Sequence, residues 1–532
     1  MNLTTTSLSH LGIVAGIFDK LGIAELINTC MPKNRSHHLS HSTVIKAMCL
    51  NGLGFNESRL YLYGDFFENL PTERLLGEGV LPEHINDDVL GRTLDKIYEY
   101  GCTELFNKLV LQAMKNVPFG AHVLHTDTTN FSLHGKYKNL DPELNTIEIT
   151  YGHPKDMRWD LKRFVLSMVC NQEGIPLFVE TLSGNASDKK TLVKTVKKIQ
   201  DGLKLNDKVY HIADSAIYSD DNITELGEHT LWITRVPATI TEVKDLLNAD
   251  IELKSCTDIR YSYYETTSSY GDIEQKWILI QSEEMKKRKE KTFDKNIKKD
   301  LKTAKNSIKK LKKKEYACEK DANRAAEIWL SKHQRYEFKE LSIELKSRRM
   351  KGKRGRPKKD EELETYYWVK AEIAVNQQVI TQEREKLGRF ILATNDLDLT
   401  ADEILSYYKS QGKIERGFRF LKDKSFHVSE VYLKKESRIE ALAMIMVLCL
   451  FLYSIAQWVL RKRLKETNKF VRNQVKKPVQ NPTMRWVFSL FRRITEYTIL
   501  LGEAVERDVA NMTDELWDIL GLMGKECEKY YV

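Results

Sequence analysis

The chain has 532 residues, of which 42% are hydrophobic and 30% charged. It is too apolar for a disordered chain and too poor in Gly and Pro for a fibrous one, and its length suits roughly three or four domains. The net charge of +9 is unevenly placed, since residues 286–314 alone hold fifteen Lys or Arg against three acidic residues. This segment therefore suits a polyanionic partner, whereas the rest of the chain is slightly acidic.

Eight cysteines are scattered without a Cys-x-x-Cys pair. This pattern argues against a zinc ribbon or a disulfide framework and indicates reduced thiols in a cytoplasmic protein. Residues 1–10 also lack the basic and apolar regions of a signal peptide.

The periodicity of apolar residues predicts a mixed α/β protein. Residues 1–117 show helical spacing, which fits either a DNA-binding domain or a packing and dimerisation module. Strand patterns then occur at 123–131, at 208–213 and in a hairpin over 163–182. Such strands, with a helical segment between them, are typical of a mixed sheet.

Residues 241–387 are predicted to interrupt this sheet. Strand-like pieces at 259–264 and 276–281 lead into the lysine-rich helix, and a second charged helix is expected over 315–347. The predicted domains are a helical N-terminal domain (1–117), the first part of the core (118–240), an insertion domain with a basic helical hairpin (241–387), the second part of the core (388–470) and a helical C-terminal region (471–532). Oligomerisation is one interpretation of the C-terminal region.

Ala441–Leu460 is a run of twenty residues without a charge, followed by Arg461-Lys462-Arg463. By length and flanks it qualifies as a transmembrane helix, but all-round apolar helices also occur in the cores of large domains. Ser454, Gln457 and the absence of a second such segment favour a buried helix and no membrane partner.

Tyr407–Lys424 reads YYKSQGKIERGFRFLKDK and is predicted to form one helix. At 100° per residue, one face of it would carry the residues Tyr408, Gln411, Glu415, Phe418 and Lys422. A carboxylate between a phenol and an ammonium could be an ordinary solvated face. Because the next helix is the apolar one, we expect a narrow functional strip instead.

Asp127 and Asp214 lie on or just beyond apolar strands. A carboxylate there is costly unless it is solvated, paired or bound to a metal. Each could simply cap the turn that follows it. Together with Glu415 they form an all-oxygen set suited to two Mg²⁺ or Mn²⁺ ions, which can promote in-line displacement at a phosphodiester.

Several segments resemble one family when taken in order. They are Leu124-His125-Thr126-Asp127-Thr128-Thr129, Gly152 to Lys162 (GHPKDMRWDLK), Gly184-Asn185-Ala186-Ser187-Asp188, Ile212-Ala213-Asp214-Ser215 and the spaced set from Tyr408 to Lys422. These resemble the DDE transposases of bacterial insertion sequences, in particular the insertion-sequence-four superfamily with its Tyr-Arg-Glu-Lys box.

The resemblance implies an RNase H-like core, split by an insertion domain, in which Asp127, Asp214 and Glu415 bind the metal ions. It implies that Tyr408 and Lys422 contact phosphates of the transposon end. The family's box usually has arginine where this chain has Gln411. Gln411 can donate a hydrogen bond to a phosphate but brings no charge, and the nearby Lys409, Lys413, Arg416 and Arg419 could compensate.

Two basic features outside this box have alternative interpretations. The helix at 286–314 could bind phosphates or pair with the acidic residues of 315–344. Arg354-Gly355-Arg356-Pro357 resembles an AT-hook core, whose Arg354 and Arg356 would enter a minor groove, but it also fits a plain basic linker.

The sequence therefore predicts a cytoplasmic, nucleoid-associated transposase that acts on double-stranded DNA, both transposon ends and target, as a homodimer. It would bind terminal inverted repeats, hydrolyse the end phosphodiester and transfer the freed strand. A DNA-binding protein without strand transfer, such as a decayed or repurposed copy, is the alternative. A membrane-anchored protein is a third interpretation.

Overall fold

The computed structural model describes residues 2–35, 37–55, 63–135, 137, 147–154, 157–186, 188–203, 208–349, 363–423, 433–501 and 504–532. Its helices are α1 (Leu11–Lys20), α2 (Ile23–Cys30), α3 (His41–Leu53), α4 (Tyr63–Glu68), α5 (Thr72–Leu76), α6 (Asp87–Tyr100), α7 (Cys102–Asn116), α8 (Asp188–Leu203), α9 (Asp220–Leu226), α10 (Thr241–Asn248), α11 (Glu283–Lys313), α12 (Glu319–Lys332), α13 (Gln377–Glu385), α14 (Ala401–Lys409), α15 (Gly412–Leu421), α16 (Glu436–Glu466), α17 (Met484–Leu490), α18 (Asp514–Met523) and α19 (Lys525–Glu528).

The strands follow the same order along the chain. They are β1 (Asn2–Ser7), β2 (Val123–Leu133), β3 (Lys162–Asn171), β4 (Pro176–Ser183), β5 (Tyr210–Ala213), β6 (Leu231–Arg235), β7 (Lys254–Ser255), β8 (Tyr261–Tyr270), β9 (Ile273–Ser282), β10 (Glu315–Tyr316), β11 (Tyr336–Arg349), β12 (Leu363–Val375), β13 (Arg389–Thr394), β14 (Val471–Arg472), β15 (Pro478–Val479), β16 (Thr495–Leu501) and β17 (Ala504–Ala510).

A large mixed sheet organises the molecule, with the strand order β4-β3-β2-β5-β6-β13-β9-β8-β7. Strands β2, β5 and β6 are parallel, whereas β3 runs antiparallel to both β2 and β4. The central strands are apolar because both faces are covered. One face packs on α14, and the other packs on α8, α9 and α10. The mixed α/β fold and the predicted hairpin are confirmed.

The predicted insertion domain contains strands of two different sheets. Strands β7, β8 and β9 extend the main sheet through β13, so a boundary at residue 241 would divide that sheet. A separate three-stranded sheet, β10-β12-β11, packs with α11 and α12 around its own apolar cluster, which includes Trp329 and Ala304. Strand pairing therefore places the start of the separate body near residue 283.

Three secondary-structure predictions are corrected by the structure. The second insertion helix ends at Lys332, and residues 336–349 form β11, which pairs along its length with β12. The C-terminal region is not entirely helical, because β16 and β17 form a hairpin. Strand β1, within the expected all-helical N-terminal domain, pairs with β16.

The N-terminal helices and the last helices of the chain form one packed unit. A side chain at Gly16 of α1 would place its Cβ 2.5 Å from the backbone of Cys527, so the two segments lie in very close contact. The Tyr531 hydroxyl accepts a hydrogen bond from the Ile13 amide and donates one to the Ser9 carbonyl. This close contact explains why a glycine occupies position 16 of α1.

Helix α16 is the apolar helix of the sequence analysis, and it lies in the core. By length and composition it could cross a membrane, yet 89% of its most apolar window is buried inside the protein. It packs against α1, α3, α6, α7, α18 and β4. The interpretation as a buried core helix is therefore confirmed, and α16 joins the N-terminal helices to the sheet.

One carboxyl group lies on this helix in a largely buried position. The Glu440 carboxylate accepts a hydrogen bond from the Ile147 amide at 3.0 Å. Burial, with a smaller contribution from the charge of Glu180, raises the pKa of Glu440 to about 7. The protonated form is therefore the one that the folded state favours.

This shift predicts a pH-dependent stability. Because the pKa is higher in the folded state than its ordinary value of 4.5, the free energy of unfolding should fall as the pH rises from about 4.5 to about 7. Glu440→Gln should remove this contribution and stabilise the protein at pH 8 by about 1–3 kcal/mol. Denaturant unfolding of the wild type and of Glu440→Gln at pH 5 and pH 8 measures this contribution. The exposed Glu515→Gln is the control, and equal pH dependence in all three proteins would contradict the prediction.

Candidate active site

Asp127 and Asp214 lie side by side on neighbouring parallel strands. Thr126 of β2 is paired with Ala213 of β5, so the next residue on each strand is an aspartate. Asp127 is half-buried within β2, and Asp214 is exposed just after β5. The structure therefore brings together two carboxylates that are far apart in the chain.

Residue alternation places both acids on the face of the sheet that α14 covers. Val123 and Ile212 belong to the apolar cluster with α14. Because alternate residues of a strand share a face, Asp127 shares the face of Val123, and Asp214 continues the face of Ile212. The backbone of Asp214 is still extended (φ −68°, ψ 167°), so the alternation holds there.

Each aspartate also has a local structural role. The Asp127 carboxylate accepts a hydrogen bond from the Thr128 amide at 2.7 Å, and that of Asp214 accepts one from the Ser215 amide at 2.6 Å. Asp214 thereby caps the short 3₁₀ turn Ser215–Ile217. The capping expected from the sequence is therefore present, and it orients both carboxylates.

The helix that carries Glu415 is broken, which corrects the prediction of one continuous helix over 407–424. Helix α14 ends at Lys409 and α15 begins at Gly412, and tight i to i+3 hydrogen bonds pass through Ser410 and Gln411. Tyr408 and Glu415 therefore belong to different helices. Phe418 is buried in the core and does not lie on an exposed strip, whereas Glu415 is exposed.

A buried histidine anchors this break to the strand of Asp127. His125 Nε2 lies 2.6 Å from Ser410 Oγ, and His125 is two residues before Asp127 on the same face of β2. Burial, with a smaller effect of Lys413, lowers the pKa of His125 to about 3, so its ring is neutral at pH 7. Helix α15 packs on β2 and β3. The contact thus holds the helix of Glu415 over the strand of Asp127.

Tyr408 lies within the electrostatic influence of both Asp214 and Glu415. Burial raises the pKa of its hydroxyl; the Asp214 and Glu415 charges add to that rise, and the Arg235 guanidinium, which donates a hydrogen bond to it, opposes the rise. Arg235 ends β6 on the same face as the aspartates, since Ile233 belongs to the cluster with α14. Sequence reasoning missed Arg235, although it directly follows the strand-like Trp232-Ile233-Thr234.

The remaining predicted DNA contacts lie around this face or outside the described residues. Lys422 follows the end of α15, and its Nζ lies 5.5 Å from the ring centroid of Phe131 on β2. Arg416 and Arg419 are exposed on α15, and Gln411 is half-exposed at the helix break. Arg354 and Arg356 fall outside the described residues.

The three candidate acids offer only carboxylate oxygens, which suit hard divalent cations. In the described parts of the chain, no three carboxylate, imidazole or thiol groups are close enough to form a ready-made metal site. The acids therefore share one face without forming a closed ligand cluster. His211 is buried, and this burial lowers its pKa to about 4.

Comparison with known families assigns most of the chain. The model of the transposase DDE domain matches residues 122–452, and that of a domain of unknown function, DUF4277, matches residues 3–111. The first match spans more than half of the chain and contains all three candidate acids. The protein therefore belongs to the transposase DDE domain family.

Solved structures and curated sequences add little to this assignment. The chain is 11% identical to the transposase in a Mos1 transposase paired-end complex with the left transposon end, with a TM-score of 0.15. This match covers 38% of the present chain and 60% of the Mos1 chain. A Mos1 strand transfer complex has the same identity and coverage, with a TM-score of 0.14. The chain thus spans 60% of the length of these transposases. No curated protein matches in sequence.

Proposed function

We propose that this protein is the DNA transposase of an insertion sequence, with Asp127, Asp214 and Glu415 as its catalytic residues. The observation that carries the proposal is the placement of Asp127 and Asp214 at adjacent positions of parallel strands, on the face where the helix of Glu415 packs. Membership of the transposase DDE domain family supports it.

An RNase H-like core is part of this proposal. In the strands β4-β3-β2-β5-β6 only β3 runs opposite to the others, and the first strand along the chain lies at the centre. This arrangement supports an RNase H-like sheet, with the acids of its first and fourth strands adjacent. We also propose that the chain belongs to the insertion-sequence-four superfamily, because the residues from Tyr408 to Lys422 resemble the box of that superfamily.

The three acids would hold two Mg²⁺ or Mn²⁺ ions. Bound there, these ions activate a water or a 3′-hydroxyl and stabilise the leaving oxygen of an in-line displacement. Water attacks the phosphorus at the element's end, and the bond to the 3′ oxygen breaks. The freed 3′-hydroxyl then attacks a target phosphodiester, which releases a target 3′-hydroxyl. Bond breaking and bond making balance in both steps.

Other residues of the same face would position the DNA. The Tyr408 hydroxyl and the Lys422 ammonium are proposed to donate hydrogen bonds to the phosphates beside the cut, with Arg416 and Arg419 as further phosphate contacts. Arg235, which donates to Tyr408, would orient that hydroxyl. Two protomers would bring two ends together, in the cytoplasm at the nucleoid. Arg354 and Arg356 stay predicted minor-groove contacts.

The experiment that tests this function uses the DNA that flanks the gene. Purified protein is incubated with duplexes that carry the inverted repeats bracketing the gene, with Mg²⁺ or with EDTA. We expect cleavage at the repeat boundary only with the metal ion. Specific binding without cleavage in any divalent cation would favour the alternative, a DNA-binding protein without strand transfer.

The departure at Gln411 gives a separate prediction. Gln411→Arg should add a charge-assisted contact to an end phosphate and tighten binding of the end duplex by about threefold to tenfold. The slope of log affinity against log salt concentration, measured by fluorescence anisotropy, should increase by the equivalent of about one phosphate contact. Gln378→Arg, at an exposed position of α13, tests whether any added charge has the same effect. Equal gains from both variants would contradict a specific role for position 411.

A further inference from the structure

A basic groove lies between helix α15 and the C-terminal half of α16. It consists of two contiguous cavities of about 280 and 520 Å³, both lined by Glu173, Lys413, Gln457 and Arg461. Its walls are the turn between β3 and β4, helix α15 and the end of α16. Arg416, beside Glu415 in the chain, also lines it. The helix that carries Glu415 therefore forms one wall of the groove, although Glu415 itself is not among the lining residues.

Cationic side chains outnumber acidic ones in this groove. The cations that line it are Lys413, Arg416, Arg461, Lys462 and Lys465, and the acids are Glu173 and Glu466. Trp458 adds an apolar surface, over which Lys462 Nζ lies 4.8 Å from the ring centroid. Such an excess of positive charge in a concave surface attracts a polyanion.

One cation of the groove, Arg461, is half-buried. It is held by hydrogen bonds that it donates to the carbonyls of Pro482 (2.8 Å) and Asn481 (3.1 Å). Burial lowers the pKa of Arg461; Tyr453 and Glu173 oppose this shift, and the charge of Arg416 adds to it. No ion pair involves Arg461 within the described residues. A bound anion would stabilise its guanidinium group, since an opposite charge favours the charged form.

The helix dipole explains only part of this charge. Lys462 and Lys465 lie near the end of α16, where cations are favoured whatever the protein binds. Lys413 and Arg416, however, lie near the start of α15, which begins at Gly412. The helix dipole disfavours cations at that end. Lys413 pairs with Glu173 at 3.3 Å, whereas the exposed Arg416 has no carboxylate partner within the described residues.

We infer that this groove binds the sugar–phosphate backbone of DNA that continues beyond the scissile phosphate. The inference rests on the proposed function, because the groove opens beside the helix of Glu415. Lys413 and Arg416 would contact the phosphates nearest the cut, and Arg461, Lys462 and Lys465 those further along. Trp458 would pack against the sugars.

The test removes the two exposed lysines at the far end of the groove. Lys462→Gln/Lys465→Gln is compared with Lys244→Gln/Lys254→Gln, which changes the same charge on α10 and β7. Binding of a fluorescein-labelled 30-base-pair duplex is measured by anisotropy in EDTA over a KCl series. We expect the groove variant to bind about tenfold more weakly and its salt slope to fall by about two contacts. The control variant should bind like the wild type.

The outcomes separate this inference from the proposed function. Equal affinity and salt slope in the groove and control variants would overturn the groove, even if the wild type cleaves end DNA. A weakened groove variant supports the groove even if no cleavage occurs, in which case the proposed function fails alone. Circular dichroism confirms the fold of each variant, and both pairs of lysines are exposed.

Discussion

Asp127→Asn and Glu415→Gln should each reduce Mg²⁺-dependent cleavage of end DNA by at least about a thousandfold, because each removes a charged ligand of the proposed metal site. Both substitutions keep the shape of the side chain. The amide oxygen that Asp127→Asn introduces can still accept the hydrogen bond that the Asp127 carboxylate accepts from Thr128. The expected result is therefore a folded protein that binds end DNA in EDTA and does not cut it.

The measurement is single-turnover cleavage of a labelled end duplex with Mg²⁺ and with Mn²⁺. Asp250→Asn, an exposed carboxylate between α10 and β7, is the matched control and should cleave like the wild type. A thermal-shift series supplies a second readout, because Mn²⁺ should stabilise the wild type more than either variant. Wild-type cleavage rates in Asp127→Asn would contradict the assignment of this residue.

Phe451→Ala should destabilise the protein by about 3–5 kcal/mol, the usual cost of a large cavity in a core. The Phe451 side chain of α16 is fully buried. Its ring meets the rings of Phe106 on α7 and of Phe119 just before β2 edge-on, with centroids 6.0 Å apart in both pairs. The substitution therefore opens a cavity where the N-terminal helices meet the core helix.

Thermal and denaturant unfolding measure this effect. Phe470, just beyond the end of α16, is 55% exposed, and Phe470→Ala should change the stability by less than about 0.5 kcal/mol. If both variants unfold at the wild-type midpoint, the N-terminal helices do not depend on α16 for their stability.

The strands that carry the acids were predictable because they consist of short runs of β-branched and apolar residues. Residues 123–131 read VLHTDTTNF, a short β-branched run bounded by turns, which suits a strand. Asp127 within β2 and Asp214 just after β5 could therefore be placed before the structure. Their pairing across parallel strands follows only from tertiary contacts.

The break at Ser410 was not predictable from periodicity. Residues 407–422 keep helical spacing throughout, and the break depends on the tertiary contact between Ser410 and His125. Strand β11 was mistaken for a helix because its charged residues suggest a solvated helical face. Its alternation of polar and apolar residues fits an exposed strand paired with β12. Arg235 was missed because its role depends on Tyr408, a partner from another part of the chain.

The close packing of α1 on the last helices has a consequence for biosynthesis. Strand β1 finds its partner only in β16, and Gly16 meets Cys527 more than five hundred residues later. While a ribosome is still making the chain, the N-terminal helices lack their partners and expose apolar surface. Contacts of such large sequence separation slow folding and leave a nascent chain prone to aggregation. We therefore expect this protein to depend on chaperones during translation and to complete its fold only after residue 531 has been synthesised.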